Sequence, residues 1–438
     1  MRCVGLGGAP SDIAGKMDPR RPGLQGTSVT SALRGAGFPG GGKPVVSGGF
    51  AVPSWEGLHE DLHEDLHLVS DTIASQTQPK DSPILVVGQV VYFLFLLYLF
   101  FFCIELMSAA FKMGGRGFAE QLLNTASDPV AGLIIGFLAT SLIQSSSTTT
   151  TIVVGLVAAD ALTIQLAIPI IMGANIGTTT TNTIVSLAHV TRPAEFKRAF
   201  AASTVHDFFN ILAAMVILPL EIFFHPVEKM ATFLQGVFAG VGGMSLASPL
   251  KAVVTPLSDL VTGLVPYVLP LIAMALLLLV IVLTQLMKLM RGVFLKRMES
   301  LFDRVLFRND ATSFALGAVT TAAVQSSSAT TSLVVPLAGT GVLSLRQIFP
   351  YTLGANLGTT ITALLASFST GSAAAVTIGL AHLSFNILGM VIFYPLRAIP
   401  IWLAEKTGIL AARTKASAVA VITVYAVLHI IPILYLIL

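Results

Sequence analysis

The sequence predicts an all-α polytopic membrane protein built from two inverted repeats, each with a re-entrant helical hairpin and a Gly-interrupted transmembrane helix. Three observations carry that expectation. Of 438 residues, 54% are hydrophobic and only 11% are charged, with mean hydropathy +0.83. Soluble domains hold roughly 25% charged residues, so lipid must replace water around much of this chain. Windows such as 84–111 and 263–287 are mostly apolar, and about 20 such residues cross a hydrocarbon core of about 30 Å. Finally, one polar pattern occurs twice in register. Gln144-Ser145-Ser146-Ser147-Thr148-Thr149 precedes Gly173-Ala174-Asn175-Ile176-Gly177-Thr178-Thr179, and Gln325-Ser326-Ser327-Ser328-Ala329-Thr330 precedes Gly354-Ala355-Asn356-Leu357-Gly358-Thr359-Thr360. Gln and Asn are 31 residues apart in both copies, and Gly136 with Gly317, Thr140 with Thr321 and Pro169 with Pro350 share the offset of 181.

Along the chain, residues 1–82 are rich in Gly, Pro, Ser and charge. They read as a mostly disordered cytoplasmic tail, because too little apolar surface is available to offset ordering entropy. No continuous apolar core marks a signal peptide there. His59, His63 and His67 recur every four residues and would share one face of a short solvated helix. A first transmembrane span is expected over 83–112. Repeat 1 of the core covers 129–224, with a hairpin at 129–160 and spans at 163–190 and 199–224. Residues 225–310 supply a Pro- and Gly-containing loop with short helices (225–262), a span at 263–290 and a basic cytoplasmic segment. Repeat 2 covers 311–396, with a hairpin at 312–341 and spans at 344–369 and 373–396. An interfacial segment and a last span fill 397–438.

Lys and Arg at span ends favour the cytoplasm. That puts Lys288, Arg291, Lys296, Arg297, Arg304 and Arg308 inside, with Arg192, Lys197, Arg198 and the 397–415 group. Three spans separate the two hairpins, an odd number, so the second repeat is expected upside down relative to the first. On this arrangement Lys112 and Arg116 fall outside. Net charge is +3, too small to argue for nucleic acid, and Cys3 with Cys103 gives no disulfide framework.

Gln144 to Thr151 are eight consecutive polar side chains at hydrophobic depth. Each unsatisfied polar group is costly in lipid, so they must face protein, water or ligand. The glycines at 173 and 177 are expected to weaken the helix and free carbonyls. Broken helices offer partial positive charge and N–H groups to anions at half-helix N-termini, and carbonyl and hydroxyl oxygens to small cations. The segments 133–158, 163–188, 314–340 and 344–368 contain no Lys or Arg except Arg346. An anion held there lacks a guanidinium clamp and would rely on helix N-termini, hydroxyls, amides and co-bound cations. Oxygen ligands suit Na⁺, so the residues favour cation-coupled uptake of a small oxyanion. Polar glue between helices is the competing use of the serines. Two motifs, Val205-His206-Asp207-Phe208-Phe209-Asn210 and Ala381-His382-Leu383-Ser384-Phe385-Asn386, each set His and Asn four apart on one face. Asp207 is a cation-ligand candidate, or else a partner for Arg198; the histidines are expected to brace helix packing.

With these residues in view, the chain resembles the type II sodium-dependent phosphate cotransporters. The likeness is carried by Ile168-Pro169-Ile170-Ile171-Met172-Gly173-Ala174-Asn175-Ile176-Gly177-Thr178, Phe200-Ala201, Val205-His206-Asp207, Leu218-Pro219-Leu220-Glu221, Gln325-Ser326-Ser327-Ser328 and Tyr351-Thr352-Leu353-Gly354-Ala355-Asn356, and it extends over about 84–438. The resemblance implies an integral, multi-pass plasma (inner) membrane symporter of Na⁺ and inorganic phosphate, with no enzymatic activity, no cofactor beyond the co-transported Na⁺ and no transition-metal site. It implies phosphate binding at Gln144, Ser145, Ser146, Ser147, Gln325, Ser326, Ser327 and Ser328. It implies Na⁺ binding at Thr148, Asn175, Thr178, Thr179, Asp207, Thr330, Asn356 and Thr359. An Asp at position 207 goes, in that family, with electrogenic transport. Animal members carry a long glycosylated, cysteine-bearing outer loop, whereas 222–262 is short and holds neither cysteine nor sequon, as in a bacterial or minimal member. Thr148 in the first hairpin is Ala329 in the second, so the two are not expected to ligate alike. A sodium-independent anion channel and a membrane-embedded hydrolase are the alternatives; no Gly-x-Ser-x-Gly elbow supports the latter.

Overall fold

The computed structural model describes residues 83–125, 128–240, 243–305 and 309–437. The tail at 1–82, with His59, His63 and His67, and Arg308 of the basic segment lie outside the described residues. Among those residues all regular structure is helical. Among the described residues, four helices are long and apolar enough to cross a membrane: Ile84–Gly114, Pro193–Phe224, Val268–Met290 and Ala373–Phe393. They belong to α1 (Pro83–Thr125), α6 (Pro193–Phe224), α9 (Val268–Val305) and α13 (Ala373–Phe393). A continuous apolar core joins α1, α6, α9 and α13 to the shorter elements between them.

The two duplicated stretches fold on one plan. The first is α2 (Pro129–Ile143), α3 (Ser146–Ala158), α4 (Ile164–Gly177) and α5 (Thr180–Ser186), and the second is α10 (Asp310–Val324), α11 (Ser327–Thr340) and α12 (Leu345–Ser369). Each hairpin turns on a left-handed Gln, Gln144 at φ 57° or Gln325 at φ 59°. The following Ser caps the next helix: Ser145 Oγ accepts from Thr148 N, and Ser326 Oγ from Ala329 N, both at 3.2 Å. These caps satisfy one amide each and leave neighbouring first-turn N–H groups without intrahelical acceptors.

Three expectations change. The helix through the second Gly-Ala-Asn is not interrupted: α12 runs unbroken from Leu345 to Ser369, whereas its counterpart stops at Gly177 and resumes at Thr180 as α5. Gly173 and Gly354 do not weaken their helices; they let helix backbones touch. A Cβ on Gly173 would lie 1.8 Å from the Leu133 carbonyl oxygen, and one on Gly354 would lie 2.0 Å from that of Phe314. Gly136 and Gly317 face back at 1.8 and 2.1 Å from the carbonyls of Ile170 and Tyr351. Small residues thus bring α2 onto α4, and α10 onto α12, at backbone contact. Lastly, 225–262 is not a loop with short helices but two substantial helices, α7 (Pro226–Gly240) and α8 (Gly243–Leu264). Pro226 begins α7 rather than breaking it, since a first-turn residue needs no N–H donor, and α8 continues through Pro249 and Pro256 while burying Val254 and Ser258 on one face.

Beyond the repeats, α14 (Ala398–Ala411) packs along α6, with a Cβ on Gly408 set 2.5 Å from the Lys197 carbonyl oxygen, and leads into α15 (Lys415–Ile437). At the start of α10, Arg397 and the Tyr394 hydroxyl both bond Asp310 Oδ2, the latter at 2.8 Å. The guanidinium and then the phenol hold the Asp310 carboxyl below the usual carboxylate range.

Replacing Gly173 or Gly354 by Ala forces a methyl into a facing backbone, so each change is expected to cost about 1–3 kcal/mol or more. A lowered midpoint of thermal unfolding of the purified protein is the expected result; an unchanged midpoint would mean that α2–α4 and α10–α12 do not pack at backbone contact.

Candidate functional site

The two hairpin turns meet each other. Ser147 Oγ at the start of α3 reaches the Gln325 carbonyl at 3.4 Å, and Ser328 Oγ at the start of α11 donates to the Thr178 carbonyl at 3.0 Å. Two helix N-termini and the break between α4 and α5 therefore share one region. Asn182 of α5 and Thr331 of α11 tie it further through contacts of 2.9 and 3.1 Å. Around it Ser146, Ser147, Thr148, Thr178, Thr179, Ser327, Thr330 and Thr359 are buried. Aligned half-helix dipoles and free amides make such a place favourable for an anion.

Both glutamines are braces. Gln144 accepts from Thr181 Oγ1 at 2.8 Å and donates to the Ser141 carbonyl; Gln325 accepts from Thr362 Oγ1 at 2.5 Å and donates to the Ala322 carbonyl at 2.5 Å. A left-handed non-Gly residue costs roughly 1–2 kcal/mol, and a side chain anchored at both ends offsets that cost. Thr181 and Thr362 share the 181-residue offset, so the brace was readable from the repeat once a partner was sought.

The hydroxyls divide by what their protons do. Thr178 Oγ1 donates to the Ala174 carbonyl and Thr359 Oγ1 to that of Ala355, both at 3.0 Å. Thr179 Oγ1 donates to the Ile176 carbonyl at 2.9 Å, and Thr330 Oγ1 lies 2.6 Å from Thr321 Oγ1 and donates to its own helix. Such groups present oxygen lone pairs, the equipment of a cation ligand. Ser145 Oγ is the opposite case. It accepts from Thr148 N and, at 2.9 Å, from Thr148 Oγ1, which leaves its own proton to donate. Ser326 accepts only the Ala329 amide, because Ala replaces Thr148 there.

Behind the tips lies a buried His–Asn network that crosses between the repeats. His206 Nε2 on α6 meets Asn356 Oδ1 on α12 at 2.6 Å, and His382 Nε2 on α13 meets Asn175 Oδ1 on α4 at 3.3 Å. Both histidines are fully buried. They brace packing across the halves, as the sequence suggests, and they hold the two Asn side chains by their oxygens.

Asp207 is buried, 5% exposed, and accepts from Thr183 Oγ1 and the Tyr425 hydroxyl, each at 3.4 Å. It does not pair with Arg198, whose Nε donates to the Gly339 carbonyl at 2.9 Å and caps the C-terminal end of α11. Tyr425, in the last helix, had no signal in the repeat pattern. Asp207 and Tyr425 line a mostly apolar cavity of about 660 Å³ together with Phe137, Ile176, Phe200 and Thr204. None of the eight Gln and Ser residues of the two tips borders it. Elsewhere, Glu221, His225 and Glu228 bring ligand atoms within 4.8 Å of one another. The Glu221 oxygens accept the Val227 and Glu228 amides at 2.7 and 3.1 Å, so this carboxylate caps α7.

The fold and the site together define a helical membrane protein whose duplicated polar hairpins face each other. The family model described as Na⁺/Pi-cotransporter matches residues 99–248 and 276–394, and the chain belongs to that family. It is 30% identical to sodium-dependent phosphate transport protein 2B of Homo sapiens, over 77% of this chain and 64% of that protein. It is 32% identical to sodium-dependent phosphate transport protein 2A of Ovis aries (71% and 62%) and 33% identical to protein 2B of Mus musculus (75% and 62%). The chain thus spans less than two thirds of the length of these relatives. No solved structure matches it.

Removing both donors to Asp207, in a Thr183→Val, Tyr425→Phe double variant, leaves a buried carboxylate unsupported, and an unsatisfied group of this kind costs about 1–3 kcal/mol or more. Thermal unfolding is expected to shift down for the double variant by more than for either single change. A double variant as stable as the parent would show that neither hydroxyl supports the carboxylate.

Proposed function

We propose that this chain is a secondary active transporter that couples Na⁺ entry to uptake of inorganic phosphate across the plasma membrane. The observation that carries the reading is the meeting of the two Gln-Ser-Ser-Ser turns, through Ser147 to Gln325 and Ser328 to Thr178, at 3.4 and 3.0 Å. Relatives named for sodium-dependent phosphate transport give the pair of solutes. In this reading the hairpins are re-entrant, the two repeats are inverted with respect to each other, and the chain is multi-pass, with the site near mid-membrane where the halves meet.

Phosphate sits between the N-termini of α3 and α11. Free first-turn amides and the protons of Ser145, Ser146, Ser326 and Ser327 donate to its oxygens, and Ser147 and Ser328 join them on releasing the Gln325 and Thr178 carbonyls, while Gln144 and Gln325 hold the turns in shape. The segments around it lack Lys and Arg apart from Arg346. Burial of a multivalent anion therefore depends on cations bound alongside. Hydroxyls whose protons are spent on their own helices, Thr178, Thr179, Thr330 and Thr359, supply lone pairs to Na⁺ with Thr148, Asn175 and Asn356. Asp207 adds the one full negative charge, and its contacts are two long hydroxyl bonds, so an ion can displace them. A Na⁺ compensated by Asp207 is one charge the phosphate does not neutralise, which makes the cycle electrogenic.

Radiolabelled phosphate should accumulate in proteoliposomes under an inward Na⁺ gradient and not under an equal K⁺ gradient; equal uptake in the two salts would point to a conducting pathway instead. Gln144→Ala and Gln325→Ala should each abolish that uptake in protein that still purifies as a folded species. Asp207→Gly should lose phosphate-evoked current while neutral uptake persists; unchanged current would remove Asp207 from the coupling.

A further inference from the structure

The two halves of the His–Asn network match in sequence but not in bonding. In one, Asn356 donates to Asn210 Oδ1 at 2.8 Å, and Asn210 donates to the Asn175 carbonyl at 2.9 Å. In the other, Asn386 stands where Asn210 stands, four residues after the histidine. It instead turns back on its own helix and donates to the His382 carbonyl at 3.0 Å. Its Oδ1 and the Nδ2 of Asn175 are both buried with no partner. These are the donor and the acceptor that the first half joins. Buried polar groups are almost always satisfied, so a complementary pair left apart calls for a partner.

Two further differences follow the same division. The helix gripped by the closed clasp, α12, is continuous, and its hairpin residue Gln325 is partly buried. The helix of the open clasp, α4, breaks at Thr178–Thr179, and its hairpin residue Gln144 is exposed. Closed clasp, intact helix and covered tip go together, as do open clasp, broken helix and uncovered tip.

We propose that Asn210 and Asn386 are positioning residues of two alternating clasps, one for each face of the membrane. When the protein opens to the opposite side, Asn386 accepts from Asn175 and donates to the Asn356 carbonyl, while Asn210 lets go and turns back on the His206 carbonyl. This rests on the inverted-repeat transporter described above, in which the halves exchange conformations. It makes the backbone beside Asn175 and Asn356 report which side is open.

The test reads the two tips directly. In purified full-length protein in nanodiscs, with Cys3→Ser and Cys103 buried, single reporters Gln144→Cys and Gln325→Cys are reacted with a hydrophilic maleimide. The ratio of their rates measures the balance of the two states. Asn386→Ala removes a group needed only in the opposite state and should raise the Gln144-to-Gln325 ratio by about fivefold, the shift expected from one lost buried hydrogen bond. Asn210→Ala should lower it by a similar factor, and the double variant should restore the parental ratio. Asn386→Ser and Asn210→Ser serve if the alanine variants do not fold. Shifts in the same direction, or none, overturn the clasps whatever the uptake assay gives. Opposite shifts, with the parent protein that keeps both glutamines showing no Na⁺-dependent phosphate uptake, would keep the clasps and discard the proposed substrates.

Discussion

Hydrocarbon offers no partner to a polar group, and that constraint organises everything else in this molecule. A chain that sets two Gln-Ser-Ser-Ser turns among apolar helices, with Ser146, Ser147 and Ser327 buried, has to supply their hydrogen bonds from its own atoms or from what it binds. Here the turns supply one another: a serine from each hairpin reaches a carbonyl of the other repeat. Glycine contacts between α2 and α4, and between α10 and α12, hold each hairpin against the helix that follows it. The crossed His–Asn pairs then fasten the repeats together behind the tips.

The chemistry follows from where protons are already committed. Threonines that donate into their own helices turn oxygen lone pairs outward, and serines that cap helices keep a proton to give. One short stretch of sequence can thus present cation ligands and anion donors side by side without a basic side chain. The departure of Ala329 from Thr148 matters in this light. Ser145 receives a second hydroxyl bond that Ser326 lacks, so the two turns differ in hydrogen bonding even though their backbones match.

Much of this was legible before any coordinates. The repeat offset placed both turns, a further motif after each repeat supplied the His/Asn pairs, and the apolar windows located the long helices. What the sequence left hidden was contact across large separations. Tyr425 reaches Asp207 from the last helix, and Thr331 meets Asn182 at a spacing the duplication does not encode. The glycines misled in one respect. Flexibility and close approach leave the same letter in the sequence, and at Gly173 and Gly354 close approach is what the fold uses. The prolines of 226–256 misled likewise, because a proline that starts a helix and one that ends it look alike without the flanking packing.

The central claim is that an anion is held between opposed helix N-termini only when cations sit beside it. Its most direct test is the unfolding temperature of the purified protein titrated with phosphate in NaCl and in choline chloride. A ligand that binds only the folded state stabilises it in proportion to the logarithm of its saturation. Stabilisation by phosphate in Na⁺ and its absence in choline is the predicted result. Equal stabilisation in the two salts would contradict the account.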